Sequence, residues 1–444
     1  MALTGLQIFK LLPKNNCKKC GKPTCLAFAM ALAQKKANLD ECPEASQETR
    51  TMLAEASAPP MRGIKFGAGD TAVEIGKETV MCRHEEKFYS PTVIAVSVSD
   101  SLSGDALEQR IKAVNALQFE RVGTHIQVNA VAVVNDSGSA GTFAATAEKV
   151  NTGCPLAMIL VSKSPDAIAA AAAKVGSAHP LLACATAATA DAVAKIAKDN
   201  NCPLVAAADS VEALAELTEK IKAVGVEDIV LSLSGVSLKD ELYGLSWARA
   251  AALKKTFRPL GYPTISFVLD GTPEAQSARG VALISKYAGV VVVETAEPHA
   301  ILPMLTTIMN IYTDPQKPVQ VEAKVYYIGE PSPDSPMLLT TNFSLTYYTV
   351  ESDAEASRVP CYILVVDTEG TSVLTAYSGD KLNEKVVADA MKKYGVTDIV
   401  RHKKLIIPGY VAVMSGKLEE ETGWEIMVGP RESSMLPKYL QEVG

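Results

Sequence analysis

The chain has 444 residues, 48% of them hydrophobic and 21% charged, and a formal net charge of -7. That length leaves room for about three domains, the composition is globular rather than disordered, and the acidic balance argues against a nucleic-acid binder, which needs a basic face. No apolar run reaches the ~18 residues of a membrane-spanning helix, and Met1 to Leu12 lacks a signal peptide's basic start and cleavage site, so a cytoplasmic protein without membrane contact is expected.

The first chemical signal in chain order is Cys17-Lys-Lys-Cys20-Gly-Lys-Pro-Thr-Cys25, followed by Cys42-Pro43. Thiols this close together can fold around one metal centre. Zinc sites usually pair two short Cys-x-x-Cys clips across a longer loop. Here three thiols form one tight run and the fourth stands alone before a proline, which favours a [4Fe-4S] cluster, with zinc and disulfides as the alternatives. Thr24 reads as the N-cap of a helix through Leu26 to Ala33, with Asn38 near its end, and a helix start at Cys25 would stabilise thiolate charge. The other five cysteines, Cys82, Cys154, Cys184, Cys202 and Cys361, are scattered singly. They read as small core residues of a protein from a reducing compartment.

Ser57-Ala-Pro59-Pro60 breaks the chain and gives a first domain over 1–60. A linker over 61–92 follows, with a hairpin expected between Ala72-Val-Glu-Ile75 and Thr79-Val-Met81 and a turn at Gly67-Ala-Gly69. From Thr92 the pattern becomes regular: strands begin near Val93, Val128, Leu156, Leu181, Leu204, Asp228, Thr264 and Val290, each trailed by an amphipathic helical segment. Short apolar strands alternating with helices call for a parallel sheet covered on both faces, and eight such units over 93–314 predict a (β/α)8 TIM barrel. The strand ends offer Asp100, Asp136, Asp209, Ser232, Asp270 and Glu294, but no nucleophile-base pair or metal spacing. Polar strand ends are also ordinary helix caps, as at Thr272 before Pro273, and no catalytic residue is assigned.

Asp314-Pro315-Gln-Lys-Pro318 marks the next boundary, and 325–444 shows a second α/β pattern. Strands are expected at Met337 to Thr341, Cys361 to Val366, Leu405 to Ile407 and Trp424 to Val428. Three of them run into glycines: Gly370 before Thr371, Ser372 and Val373, then Gly409 after Pro408, then Gly429. In an open parallel sheet such glycines line the crevice at the strands' carboxyl ends. With Thr340, Thr341, Asn342 and Thr346 beside them they suggest a large, amide-rich ligand, against the alternative of turns that only cap helices. Neither a dinucleotide fingerprint nor a P-loop is present.

Together these parts resemble the large (gamma) subunit of the corrinoid/iron-sulfur protein of the anaerobic acetyl-CoA pathway. Its marks are Cys17, Cys20, Cys25 and Cys42, then Gly76-Lys-Glu-Thr-Val-Met-Cys-Arg-His-Glu85 and Phe88-Tyr-Ser-Pro91. In the C-terminal part, Leu338-Leu-Thr-Thr-Asn-Phe-Ser-Leu-Thr346 and Asp367-Thr-Glu-Gly-Thr-Ser372 look like the family's corrinoid-binding loops. The resemblance implies an α/β chain with an N-terminal iron-sulfur domain, a TIM barrel and a Rossmann-like corrinoid (cobamide) domain. The implied function is a methyl carrier, not an enzyme in itself. It would take methyl from a methyltetrahydrofolate methyltransferase onto cobalt and pass it to acetyl-CoA synthase/CO dehydrogenase, with the cluster and a ferredoxin-like reductant restoring reduced cobalt. A smaller barrel subunit would complete a heterodimer. The Asp-x-His-x-x-Gly motif that ligates cobalt in many cobalamin domains is missing, which fits a base-off cobalt, and His402 is expected to be exposed. The last domain is expected to move about Tyr312 to Val325. The alternatives are a pterin-dependent methyltransferase barrel and a ferredoxin-like electron-transfer protein.

Overall fold

A computed structural model describes residues 5–33, 36–37, 39–46, 59–121 and 123–443. It divides into two compact units, one of residues 1–118 and 127–312 and one of residues 119–126 and 313–444. In the first, helices α1 (Gly5–Leu11) and α2 (Cys25–Ala33) share a small apolar core of Ile8, Leu12, Cys25, Phe28, Ala29, Cys42 and Ala45. The Thr24 hydroxyl accepts from Ala27 N–H at 3.0 Å, the cap expected of it. Asn38, Ser57 and Ala58, named above for the helix end and the chain break, lie outside the described residues.

Strands β1 (Ile64–Phe66) and β2 (Val73–Ile75) pair antiparallel across the turn at Gly67 and Gly69. The expected hairpin therefore exists with a different partner strand, upstream of β2. Thr79 to Met81 forms no strand because its polar groups are engaged elsewhere: the Val80 carbonyl accepts from the Arg249 guanidinium at 2.6 and 3.0 Å. Gly67 N–H donates to the His179 carbonyl and Arg62 N–H to the Gly261 carbonyl. Both acceptors lie just before barrel strands, so the hairpin covers the amino-terminal end of the barrel.

The eight expected strands are all present. They are β3 (Val93–Ser99), β6 (Ala130–Val134), β7 (Ala157–Val161), β8 (Leu181–Ala185), β9 (Leu204–Ala208), β10 (Ile229–Leu233), β11 (Ile265–Val268) and β12 (Val290–Val293). An additional hairpin, β4 (Gln118–Arg121) and β5 (Thr124–Gln127), is inserted after the first. The eight are parallel, each beside its sequence neighbour, with β12 returning to β3. A bridge from Leu231 to Thr264 joins β10 to β11 and closes the ring. β-Branched residues buried on both faces make this possible, as in the wholly buried Val290–Val293.

Helices α3 (Gly104–Asn115), α4 (Ala140–Gly153), α5 (Pro165–Val175), α6 (Ala190–Asp199), α7 (Val211–Val224), α8 (Leu238–Lys255), α9 (Pro273–Ser285) and α10 (Pro298–Ile311) follow the strands in turn. Ser139, Ser164, Ser210, Ser237 and Thr272 cap five of them through their hydroxyls. Many polar groups at the strand ends are thus caps, and others brace loops. Asp100 is buried and accepts from Asp136 N–H, Ser137 N–H and the Ser137 hydroxyl, while Asp270 pairs with Arg279 at 2.7 Å.

The second unit contains a sheet of β13 (Val325–Ile328), β14 (Met337–Thr341), β15 (Cys361–Val366), β16 (Lys404–Ile407) and β17 (Glu425–Val428), in the order β13-β15-β14-β16-β17. Only β13 runs antiparallel, and the sequence pattern did not reveal this edge strand. Helices α11 (Ser344–Ser357) and α16 (Leu436–Val443) pack on one face of the sheet. On the other lie α12 (Val373–Ser378), α13 (Glu384–Lys393), the short α14 (Val396–Ile399) and α15 (Ser415–Thr422). Among the parallel strands the order reverses between β14 and β16. In open α/β sheets such a reversal leaves a crevice at the strands' carboxyl ends.

Cys154, Cys202 and Cys361 are buried, and burial pushes each thiol up to about 11, as suits inert core residues. Cys82 is exposed, on the loop after Val80, so the core reading fails there. The Cys184 side chain is outside the described part.

Candidate functional site

The crevice is present. A cleft of about 350 Å³ opens over β14 and β16, with Thr340, Thr346, Ser372, Val373, Pro408 and Gly429 in its wall. Its floor is apolar, from Leu338 and Ile406 to Leu436, and one side is the α11 face of Leu345, Thr346, Thr349 and Val350. Thr340 is 1% exposed and its hydroxyl has no hydrogen-bond partner. An unpartnered buried hydroxyl costs about 1–3 kcal/mol, and this one belongs to a cleft wall where a polar ligand group can satisfy it. Around the strand ends Leu345, Leu374, Tyr410, Val413 and Met435 stand exposed. Sequence reasoning missed this apolar rim. Its one visible signal is the i, i+1, i+4, i+5 spacing of Leu345, Thr346, Thr349 and Val350, a helix face too polar for an ordinary core.

Thr341, Asn342, Gly370, Thr371 and Gly409 do not line the cleft, and their surroundings explain why. The buried Asn342 carboxamide oxygen accepts from Thr368 N–H at 3.0 Å, the Thr368 hydroxyl at 3.2 Å and Gly370 N–H at 3.0 Å. Its nitrogen donates to Asp367 at 2.9 Å and Gln320 at 3.2 Å. Asn342 therefore holds the 367–372 loop in place rather than facing a ligand. The Thr371 hydroxyl donates to the Thr368 carbonyl at 2.7 Å within the same loop. Gly370 sits at φ +71°, where a Cβ would lie 2.6 Å from the Gln320 side chain, and a Cβ at Gly409 would lie 2.6 Å from the Gly429 carbonyl oxygen. Both glycines serve close packing of loops on one another.

In the N-terminal part, Cys20, Cys25 and Cys42 gather on the small core described above. Among the described residues, no three such groups converge closely enough to hold a metal ion. The loop before α2 nevertheless has an unusual backbone: Lys14, Asn16 and Lys18 all have φ near +50 to +60°, and Gly21 has +74°. Each non-glycine residue in that region costs about 1–2 kcal/mol. Such turns point successive N–H groups inward, a geometry that suits anionic sulfur centres, and Asn16 N–H already donates to Cys25 Sγ at 3.3 Å. The donor set and the loop fit an iron-sulfur centre in kind.

Comparison with known proteins decides the family. A family described as CO dehydrogenase/acetyl-CoA synthase delta subunit matches residues 63–440, and an Fe-S cluster family matches residues 12–44. The corrinoid/iron-sulfur protein large subunit of Moorella thermoacetica is 44% identical over 98% of this chain and 97% of that protein. The chain belongs to the corrinoid/iron-sulfur protein large-subunit family. Within it, the acetyl-CoA decarbonylase/synthase complex subunit gamma of Methanothermobacter thermautotrophicus is 35% identical over 100% of this chain and 99% of that one. Among solved structures, a dihydropteroate synthase from Xanthomonas albilineans matches with 14% identity and a TM-score of 0.37, covering 50% of this chain and 94% of that one.

The stretch from Gly76 to Pro91, one of the marks of the resemblance, has a structural role in this family member. Glu78 is buried, accepts from Tyr89 and Ser90 N–H at 2.9 Å, and pairs with the buried Arg249 at 3.3 Å. The Arg249 guanidinium lies 4.7 Å from the Phe88 ring centre and 4.5 Å from that of Tyr287. His402 is half-buried rather than exposed. Its Nδ1 accepts from Lys404 N–H, so Nε2 carries the proton and donates to the Ser335 carbonyl at 2.8 Å. No helix among the described residues is long and apolar enough to cross a membrane.

Proposed function

We propose that the chain is the methyl-carrying subunit of the acetyl-CoA pathway, with a base-off corrinoid at the β14/β16 crevice and a [4Fe-4S] cluster on Cys17, Cys20, Cys25 and Cys42. The observation that carries the reading is the unpartnered Thr340 hydroxyl in a cleft rimmed by exposed apolar side chains. A cleft of about 350 Å³ accepts a side arm of a corrinoid, and the rim offers the macrocycle an apolar seat. Thr340, Thr346 and Ser372 meet amide groups, while Val373, Pro408 and Gly429 allow close approach. When bound, the corrinoid supplies a cobalt that accepts and releases a methyl group, and the cluster supplies low-potential electrons.

The chain's own residues hold and present these groups. Asn342 fixes the loop that carries Ser372, and His402, with both ring nitrogens engaged, leaves cobalt without an imidazole from that position. The partners of this reading are a methyltetrahydrofolate methyltransferase, acetyl-CoA synthase/CO dehydrogenase, a ferredoxin-like reductant and a small subunit. Because one cobalt must meet several partners in turn, the corrinoid domain moves as a unit on its connector.

Anaerobically purified protein should contain iron and cobalt together, and Cys42→Ala should lose iron and its low-temperature EPR signal while methyl transfer from already reduced cobalt survives. Iron without cobalt would make the chain an electron-transfer module, and pterin turnover by the chain alone would make the barrel the enzyme.

A further inference from the structure

Among the described residues of the barrel between Val93 and Tyr312, the exposed large apolar side chains are Tyr243, Trp247 and Phe257. All three lie on α8 or two residues past its end. The inner face of this helix is already packed, through Leu245, Ala248 and Ala252. Tyr243 and Trp247, 61% and 63% exposed, stand one turn apart on the opposite side. Beside them a groove of about 460 Å³ is lined by Leu238, Lys239, Leu242, Tyr243, Ser246 and Lys286. Lone exposed apolar residues need no explanation, but two exposed aromatic side chains one turn apart, one of them lining an apolar groove, mark a contact surface. Tyrosine and tryptophan are the residues that most often dominate binding energy at such surfaces.

Charge decides what covers it. Lys239, Lys254, Lys255 and Lys286 are exposed around the stripe, and among the described residues none of them has an ion-pair partner. The carboxylates of α8 offset them only in part: Asp240, at the helix start, is one exposed negative charge against four exposed lysines, and Glu241 is buried. A second copy of this chain meeting the face symmetrically would set these lysines against themselves. We infer that the Tyr243/Trp247 face of α8 is the docking surface for a different protein subunit, one that presents apolar side chains ringed by carboxylates. The groove beside Tyr243 takes the apolar anchors, Trp247 packs on the partner's apolar surface, and the lysines supply orientation and on-rate.

This inference rests on the carrier reading, from which the small subunit is taken as the probe. Its affinity for the full chain is measured by calorimetry at two salt concentrations, with iron and cobalt content of the same samples reporting on the carrier reading separately. Tyr243→Ala/Trp247→Ala should weaken binding about 100-fold or more with unchanged thermal unfolding. Lys239→Glu/Lys286→Glu should weaken binding at the lower salt concentration and remove its salt dependence. Wild-type affinity in both variants would overturn the proposal, as would absence of binding by the unsubstituted chain. So would a chain that self-associates, or binds single-stranded oligonucleotide, in a manner lost with Trp247→Ala.

Discussion

Thr340→Val should change stability and ligand affinity in opposite directions. The substitution is close to isosteric and removes a hydroxyl that is buried with no partner in the cofactor-free fold. Desolvating that group costs about 1–3 kcal/mol. Its loss should therefore stabilise the cofactor-free C-terminal unit by about 1 kcal/mol, a rise of roughly 2–4 °C in the midpoint for a unit of that size. If a corrinoid amide meets the hydroxyl, the same substitution forfeits about 0.5–1.5 kcal/mol of binding, which is about a 2- to 12-fold loss of affinity. Thr341 provides an internal control, because its hydroxyl is equally buried and unpartnered but lies outside the cleft. Thr341→Val should show the stability gain without the affinity loss. Calorimetric unfolding of the cofactor-free chain and titration with a corrinoid measure both quantities. A Thr340→Val protein that is less stable and binds with unchanged affinity would refute the assignment of the cleft.

Asn342→Asp keeps the acceptor for Thr368 and Gly370 but sets a second carboxylate against Asp367, now 2.9 Å from the amide nitrogen. It should lower the stability of this unit by about 2–3 kcal/mol, and hydrogen exchange should localise the loss to the 367–372 loop. His402→Ala should leave the cobalt EPR hyperfine pattern unchanged, since both ring nitrogens already have backbone partners. Burial raises the Glu241 carboxyl above its ordinary value, so the folded state takes up this proton at a higher pH than the unfolded state. Barrel stability should fall as pH rises from the unfolded-state value through the raised one, and Glu241→Gln should flatten that dependence in melts recorded across the range.

The barrel was legible because each of its strands is a short apolar run bounded by polar caps, so period and length agree at every unit. The β13 edge strand was not. Val325-Tyr-Tyr-Ile328 has a half-buried Tyr326 and an exposed Tyr327 and follows a connector rather than a helix, so nothing in the pattern separates it from a loop. The hairpin over 118–127 was missed for a related reason: its Gln, Glu and Arg side chains are mostly exposed, and strands without a buried face carry no alternation. At the cleft, the glycine and threonine signals located the strand ends but could not separate wall from support. Thr340 and Thr341 are neighbours of the same type, and only the pleat, which sends successive side chains to opposite faces, assigns one to the cleft. Asn342 looked like a ligand group because a carboxamide has both donor and acceptor, and the same versatility lets it satisfy an entire loop.

The segment expected to flex ran from Tyr312 to Val325, but its ends are held. The Tyr312 hydroxyl lies 3.2 Å from that of Thr92 in the barrel unit. At the other end Val321 N–H donates to the Asn342 carbonyl, Ser344 N–H donates to the Val319 carbonyl, and Gln320 bridges Phe343. Between them, Gln316 and Lys317 N–H both turn back onto Asp314. Pro315 and Pro318 stiffen so short a link, which favours rotation about a few bonds over a loose tether. In the proposed carrier the strand-like Val319 to Val321 would travel with the sheet, because its backbone is bonded to Asn342 and Ser344 and the Gln320 side chain accepts from the Asn342 carboxamide.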